Sequence, residues 1–203
     1  NDLMDAAENE VFNYSFLEGT ESLGAYRLEG YLFPDTYEFY VGMQASSAIN
    51  KMLDNFNRKI TEDMQARLDE LSMSLREVIN VASLIEKEAA NDSERPVISS
   101  VIYNRLNYDT PLGIDAAVLY PYPEHEGAPT AEMLAKDDPY NTRIKLGLPP
   151  TPISNPGIAS INAALWPDAT DYFYYALDTT TGTHQFFTNE GDFNSFVATQ
   201  DYE

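Results

Sequence analysis

A carboxylate interrupts the apolar stripe of the segment SLREVINVASLIEKEAA, Ser74 to Ala90. On a 3.6-residue period Leu75, Ile79 and Ala82 fall within about 40° of Glu86, whereas Glu77 and Glu88 project to the other side. Burying a carboxylate costs several kcal/mol unless it is protonated or hydrogen-bonded. Such a group holds its proton to higher pH than a surface Glu, as a general acid requires. The competing reading is structural. Val81 and Leu84 make the far side apolar too, so Glu86 is also readable as an edge residue satisfied by an Arg or a backbone donor.

The remaining candidates also carry two readings each. Asp115 suits a ligand hydroxyl or a developing positive charge, or simply caps a turn. Tyr140, Asn141 and Thr142 suit the amide and hydroxyl groups of a ligand, or anchor a loop. Asn189 binds substrate or ends a strand. Asn155 is read as a helix cap and Glu88 as a solvated or salt-bridged residue. Arg95 and Arg105 are expected to tie the central helices to acidic neighbours, and Trp166 is expected in the core.

Composition narrows the chemistry. Twelve basic against thirty-three acidic residues give a net charge of −21. That field disfavours nucleic acid and anionic membrane surfaces as direct ligands. The absence of cysteine excludes disulfides, thiolate metal sites and a Cys nucleophile. Two distant histidines, His125 and His184, do not suggest a metal cluster or a triad, and no Gly-rich phosphate loop is present. No metal or organic cofactor is called for. No run of 18 apolar residues and no signal-peptide pattern occurs, which reads as a soluble chain. Carboxylate, Tyr and amide chemistry remains, the vocabulary of carbohydrate sites.

These groups need elements to hold them. Glu10–Leu17 and Tyr26–Tyr40 read as strand-like, and residues 1–45 as a strand-rich N-terminal portion distinct from residues 46–203. Helices are expected at Ser46–Lys59, Glu62–Leu71, Ser74–Ala90 and Glu94–Leu106, the third opened by the capping box Ser74-x-x-Glu77 and the fourth tolerating Pro96 in its first turn. Asn107–Ile153 reads as long loop, of the sort that often carries function. Asn155-Pro156 would start a helix reaching Leu165. Tyr172–Leu177 and His184–Thr188 read as a hairpin. The fold class is α+β, with a helical centre and small antiparallel sheet elements at both ends.

Six stretches, in order, resemble the YceG-like (MltG) family of endolytic lytic transglycosylases. They are EGYLFPDTY (Glu29–Tyr37), ASLIEKE (Ala82–Glu88), SERPVISSVIYNRL (Ser93–Leu106), YNT (Tyr140–Thr142), GLPPTPISNPG (Gly147–Gly157) and GTHQFFTN (Gly182–Asn189). The family pattern L-x-x-D-P reads L-G-I-D-A here, from Leu112 to Ala116, and residues 1–25 show no clear match. The family's membrane helix and most of its LysM-like lobe have no counterpart in these residues.

The resemblance implies that residues 46–203 are a YceG-like catalytic domain and residues 1–45 a remnant of or link to its LysM-like lobe, tethered to the cell membrane through an N-terminal anchor and working on its extracytoplasmic side. Its substrate would be nascent peptidoglycan, cut internally between N-acetylmuramic acid and N-acetylglucosamine to leave a 1,6-anhydro end. Peptidoglycan synthases would be its protein partners. The family's catalytic Glu would fall on Glu86, the first Glu of E-K-E. The alternatives are a muramidase using Glu86 with Asp115 as nucleophile or base, and a non-catalytic glycan-binding or scaffold module.

Overall fold

The computed structural model describes residues 2–202. Helix α1 (Asp2–Asn9) and two short 3₁₀ turns (Ser15–Leu17 and Glu21–Leu28) precede α2 (Ala45–Lys59), α3 (Glu62–Leu71), α4 (Leu75–Glu88) and α5 (Arg95–Asn107). Two one-turn helices, α6 (Asp115–Leu119) and α7 (Ala131–Ala135), break the long loop expected there. Helix α8 (Ile158–Leu165), the hairpin β1 (Tyr174–Asp178) and β2 (Thr183–Phe187), and α9 (Glu190–Val197) complete the chain.

Helix α4 is the axis of the molecule. Ser74 accepts from the Glu77 amide at 3.3 Å and Glu77 Oε2 accepts from the Ser74 amide at 2.8 Å, so the expected capping box forms. Every residue from Val78 to Ile85 is buried, because α5 and α8 pack against the helix and the N-terminal segment contributes to the same core. A helix surrounded in this way has no single inner face, and that decides which acidic residue reaches a cleft.

The four central helices and the hairpin lie where the pattern puts them. Tyr174 pairs with Phe187 and Asp178 with Thr183 in antiparallel register. The N-terminal strands do not form among the described residues. Alternating aromatics from Leu28 to Tyr37 mimic a period of two, but the chain turns at Gly30 (φ +90°). The amides of Gly30 and Leu32 both donate to Asn155 Oδ1, each at 3.0 Å, rather than to a neighbouring strand. The rings then serve the core instead of a sheet: Phe16 stacks on Tyr31 at 5.2 Å and meets Phe56 edge-on at 4.9 Å.

This also corrects Asn155, which clamps that loop instead of capping α8. The helix begins later, with Gly157 at its N-cap. Trp166, expected in the core, is 43% exposed because the helix ends before it. A Cβ on Gly30 would lie 2.6 Å from Pro152 and 2.7 Å from Ile79. Gly30→Ala is therefore expected to destabilise the domain by about 1–3 kcal/mol through overpacking, with the left-handed backbone adding strain. Urea unfolding of the two proteins measures it.

Candidate active site

The last turn of α4 carries Glu88 to the inner wall of a cleft of about 550 Å³. Arg105 from α5, Asp115 from α6, Arg143, Tyr175 from β1 and His184 from β2 also line it. Tyr175 donates its hydroxyl to Glu88 Oε2 at 2.8 Å, and Oε1 accepts no hydrogen bond from the described residues. Burial raises the Glu88 pKa above the ordinary carboxylate value. Tyr175, His184 and Arg143 pull it back without cancelling the rise, and Asp115 adds to it. The Tyr175 hydroxyl is itself pushed far up by burial and by Glu88, so it stays a donor. A carboxyl that holds its proton to higher pH than an ordinary Glu, at the wall of a cleft, is equipped to give a proton and take it back.

An ion pair also lines the cleft. Asp115 Oδ1 accepts from Arg143 Nε at 2.7 Å and lies 2.6 Å from Nη2. Thr142 sets its geometry from behind, accepting from the Ile114 amide at 2.9 Å and donating to the Ile114 carbonyl at 3.1 Å. Arg105 has a different role from the one expected. No carboxylate meets it among the described residues; it donates to the carbonyls of Phe173, Pro111 and Leu112. It thus ties α5 to the loop before α6 and to the hairpin, with its guanidinium 5.1 Å from the Tyr174 ring centroid.

Glu86 sits elsewhere. Residues two apart on an α-helix diverge by about 200°, so Glu86 and Glu88 face opposite ways. Glu86 Oε2 accepts from the Gly157 amide at 3.0 Å and from Ser160 Oγ at 2.7 Å, at the N-terminus of α8. Arg95 reaches Oε1 at 3.7 Å and donates to Ser160 Oγ at 3.0 Å. A negative charge at a helix N-terminus is favourable, and this arrangement fastens α4, α5 and α8 together. The structural reading of Glu86 is the one its contacts match.

The other sequence candidates divide. Asp115 reaches the cleft. Asn141 is 1% exposed, and its amide donates to the carbonyls of Met133, Leu134 and Lys136, closing the end of α7. Thr142 is buried as well, so neither offers a surface to substrate. Asn189 is the N-cap of α9, accepting from the Asp192 amide at 2.9 Å. Tyr140 faces a second cavity, not the Glu88 cleft.

Glu88 was read as solvated or salt-bridged, and the structure places it half-buried against Tyr175 instead. Sequence reading passes over Tyr175 and Arg143 and weighs His184 only as a metal or triad residue. For Tyr175 and His184 the available signal is the hairpin, whose alternation puts Tyr175 and Leu177 on one face across from His184 and Phe186; Arg143 directly follows the Tyr140–Thr142 stretch.

Fold and cleft together define a mostly helical domain built around a carboxyl group set for proton transfer. Residues 2–199 match the YceG-like family, and the chain belongs to it. An endolytic murein transglycosylase of Bacillus subtilis (strain 168) is 37% identical over 84% of this chain and 45% of its own length. One from Streptococcus pneumoniae serotype 2 is 33% identical over 88% of this chain and 33% of its own. This chain therefore spans less than half of either relative. The crystal structure of a YceG-like protein from Listeria monocytogenes superposes with a TM-score of 0.83 at 33% identity, covering 96% of this chain and 66% of that one.

Proposed function

We propose that this domain is an endolytic lytic transglycosylase acting on peptidoglycan glycan strands, with Glu88 as its proton-transfer group. The observation that carries the assignment is the Glu88 carboxyl at the cleft wall: protonation favoured by burial, Oε2 held by Tyr175, and Oε1 without a hydrogen bond from the described residues. The names of the two relatives supply the substrate class. Neutral Glu88 gives its proton to the glycosidic oxygen as the bond from the anomeric carbon breaks, through an oxocarbenium-like transition state. The muramic acid 6-hydroxyl then closes on that carbon, and its proton passes to the Glu88 carboxylate. The products are a 1,6-anhydro end and a free hydroxyl on the departing strand, with Glu88 restored.

An internal nucleophile removes the need for a second free carboxylate. The cleft is consistent with that, since Asp115 Oδ1 is already engaged by Arg143. Such a substrate puts the domain on the wall side of the cytoplasmic membrane. Mass analysis of fragments from purified peptidoglycan tests the reading. Anhydro-muramic ends released from strand interiors are expected. Reducing muramic ends would make the domain a hydrolase, and intact strands would leave a binding module.

A further inference from the structure

A second cavity, of about 480 Å³, opens at the other end of α6 from the ion pair. Tyr26, Tyr120, Tyr140, Pro121, Pro139 and Asp138 line it. The rings of Tyr120 and Tyr140 tilt together at 4.9 Å, and Tyr26 meets Tyr120 edge-on at 6.4 Å. The hydroxyls are braced from outside the cavity. Tyr120 donates to Glu29 at 3.2 Å, and the Tyr140 and Thr151 hydroxyls share a hydrogen bond at 2.7 Å. Ring faces are thereby fixed, while Tyr26 is 57% exposed at the rim.

Two chain segments connect this cavity to the Glu88 cleft. Asp115 opens α6 and Tyr120 closes it, a rise of about 7 to 8 Å at about 1.5 Å per residue. Alongside, Tyr140 lies just ahead of Arg143, the partner of Asp115. One end of this pair of segments thus carries the ion pair and the other the tyrosines. A strand of linked rings seated in the cleft is long enough to span that separation within a few rings.

We propose that the Tyr26–Tyr120–Tyr140 cavity is a distal subsite for N-acetylated sugar rings of the strand being cut. Apolar sugar faces seat on the aromatic rings, and the Asp138 carboxylate meets the ring edges. The subsite holds the strand on one side of the scissile bond, which favours cleavage within a strand over trimming at its end. It rests on the glycan-cleaving reading of the neighbouring cleft.

The test uses the Glu88→Gln protein with tyrosine rings isotopically labelled, titrated with a hexamer of N-acetylglucosamine and followed by NMR. Shifts of the Tyr26, Tyr120 and Tyr140 rings are expected. Tyr26→Ala should weaken binding about three- to tenfold, and Tyr26→Phe, which keeps the ring, should restore it. Shifts confined to Tyr174 and Tyr175, no binding, or equal affinity in Tyr26→Ala would overturn the subsite. Shifts produced by lysine amide and not by the hexamer would overturn it in favour of an ammonium cage. The catalytic reading is judged separately, by fragment ends from the parent protein, so either can fail alone.

Discussion

Glu88→Gln is expected to slow glycan cleavage about 10²–10⁴-fold and leave the fold intact. The amide keeps the shape of the side chain, and its oxygen still accepts from Tyr175, so the loss isolates the proton. Glu86→Gln is the matched control on the same helix. It removes a charge from the N-terminus of α8, where such a charge is worth about 0.3–1 kcal/mol, and cleavage should persist. Cleavage surviving in Glu88→Gln and vanishing in Glu86→Gln would reverse the assignment. The pH profile supplies a second reading. A general acid works on the acid side of its pKa, and burial has moved that of Glu88 upward. Activity is therefore expected to fall as pH rises through this raised value. Tyr175→Phe removes a hydrogen bond that favours the carboxylate, so the falling limb should move to higher pH.

The same helix shows how far sequence reading reaches. Its start was legible, because Ser74 and Glu77 name their own positions in a capping box. So was the opposed direction of Glu86 and Glu88, which is arithmetic on the helical period. The identity of the cleft side was not. Choosing between the two carboxylates by periodicity presumes one apolar face, and α4 is apolar in every direction because α5, α8 and the N-terminal loops enclose it. What Glu86 and Glu88 meet is settled by residues some seventy to ninety positions further on, Gly157 and Ser160 for one, Tyr175 for the other. The same limit applied to Asn155. Its place before a Pro looked like a cap, but two amides more than a hundred residues earlier claim its side chain. The N-terminal aromatics have the period of a strand but no strand among the described residues pairs with them, so packing against Phe56 prevails.

Glu94→Ala is expected to destabilise the domain by about 1–3 kcal/mol, the cost of leaving buried hydrogen-bond donors without their acceptor. Glu94 is 7% exposed and accepts four hydrogen bonds, at 3.3 Å from the Ala90 amide, 2.8 Å from Asn91, 3.0 Å from the His184 amide and 2.8 Å from His184 Nδ1. The first two shape the turn that follows Glu88; the other two dock strand β2 onto it. His184 in turn packs perpendicular to the Tyr175 ring at 5.3 Å. Removing the carboxylate therefore loosens both the residue proposed to move the proton and the hydroxyl that orients it. Burial alone would raise the Glu94 pKa, but the His184 and Asn91 hydrogen bonds outweigh it and leave the value below the ordinary one. A depressed carboxylate contributes its stability at pH above the unfolded-state pKa, and the contribution disappears as pH falls through the folded-state value. Urea unfolding from about pH 7 down to about pH 3 should show the gap between parent and Glu94→Gln narrowing over that descent. A gap that stays constant with pH would mean that the site recognises only the shape of this side chain and not its charge. In that case the coupling between hairpin docking and Glu88 would rest on packing alone.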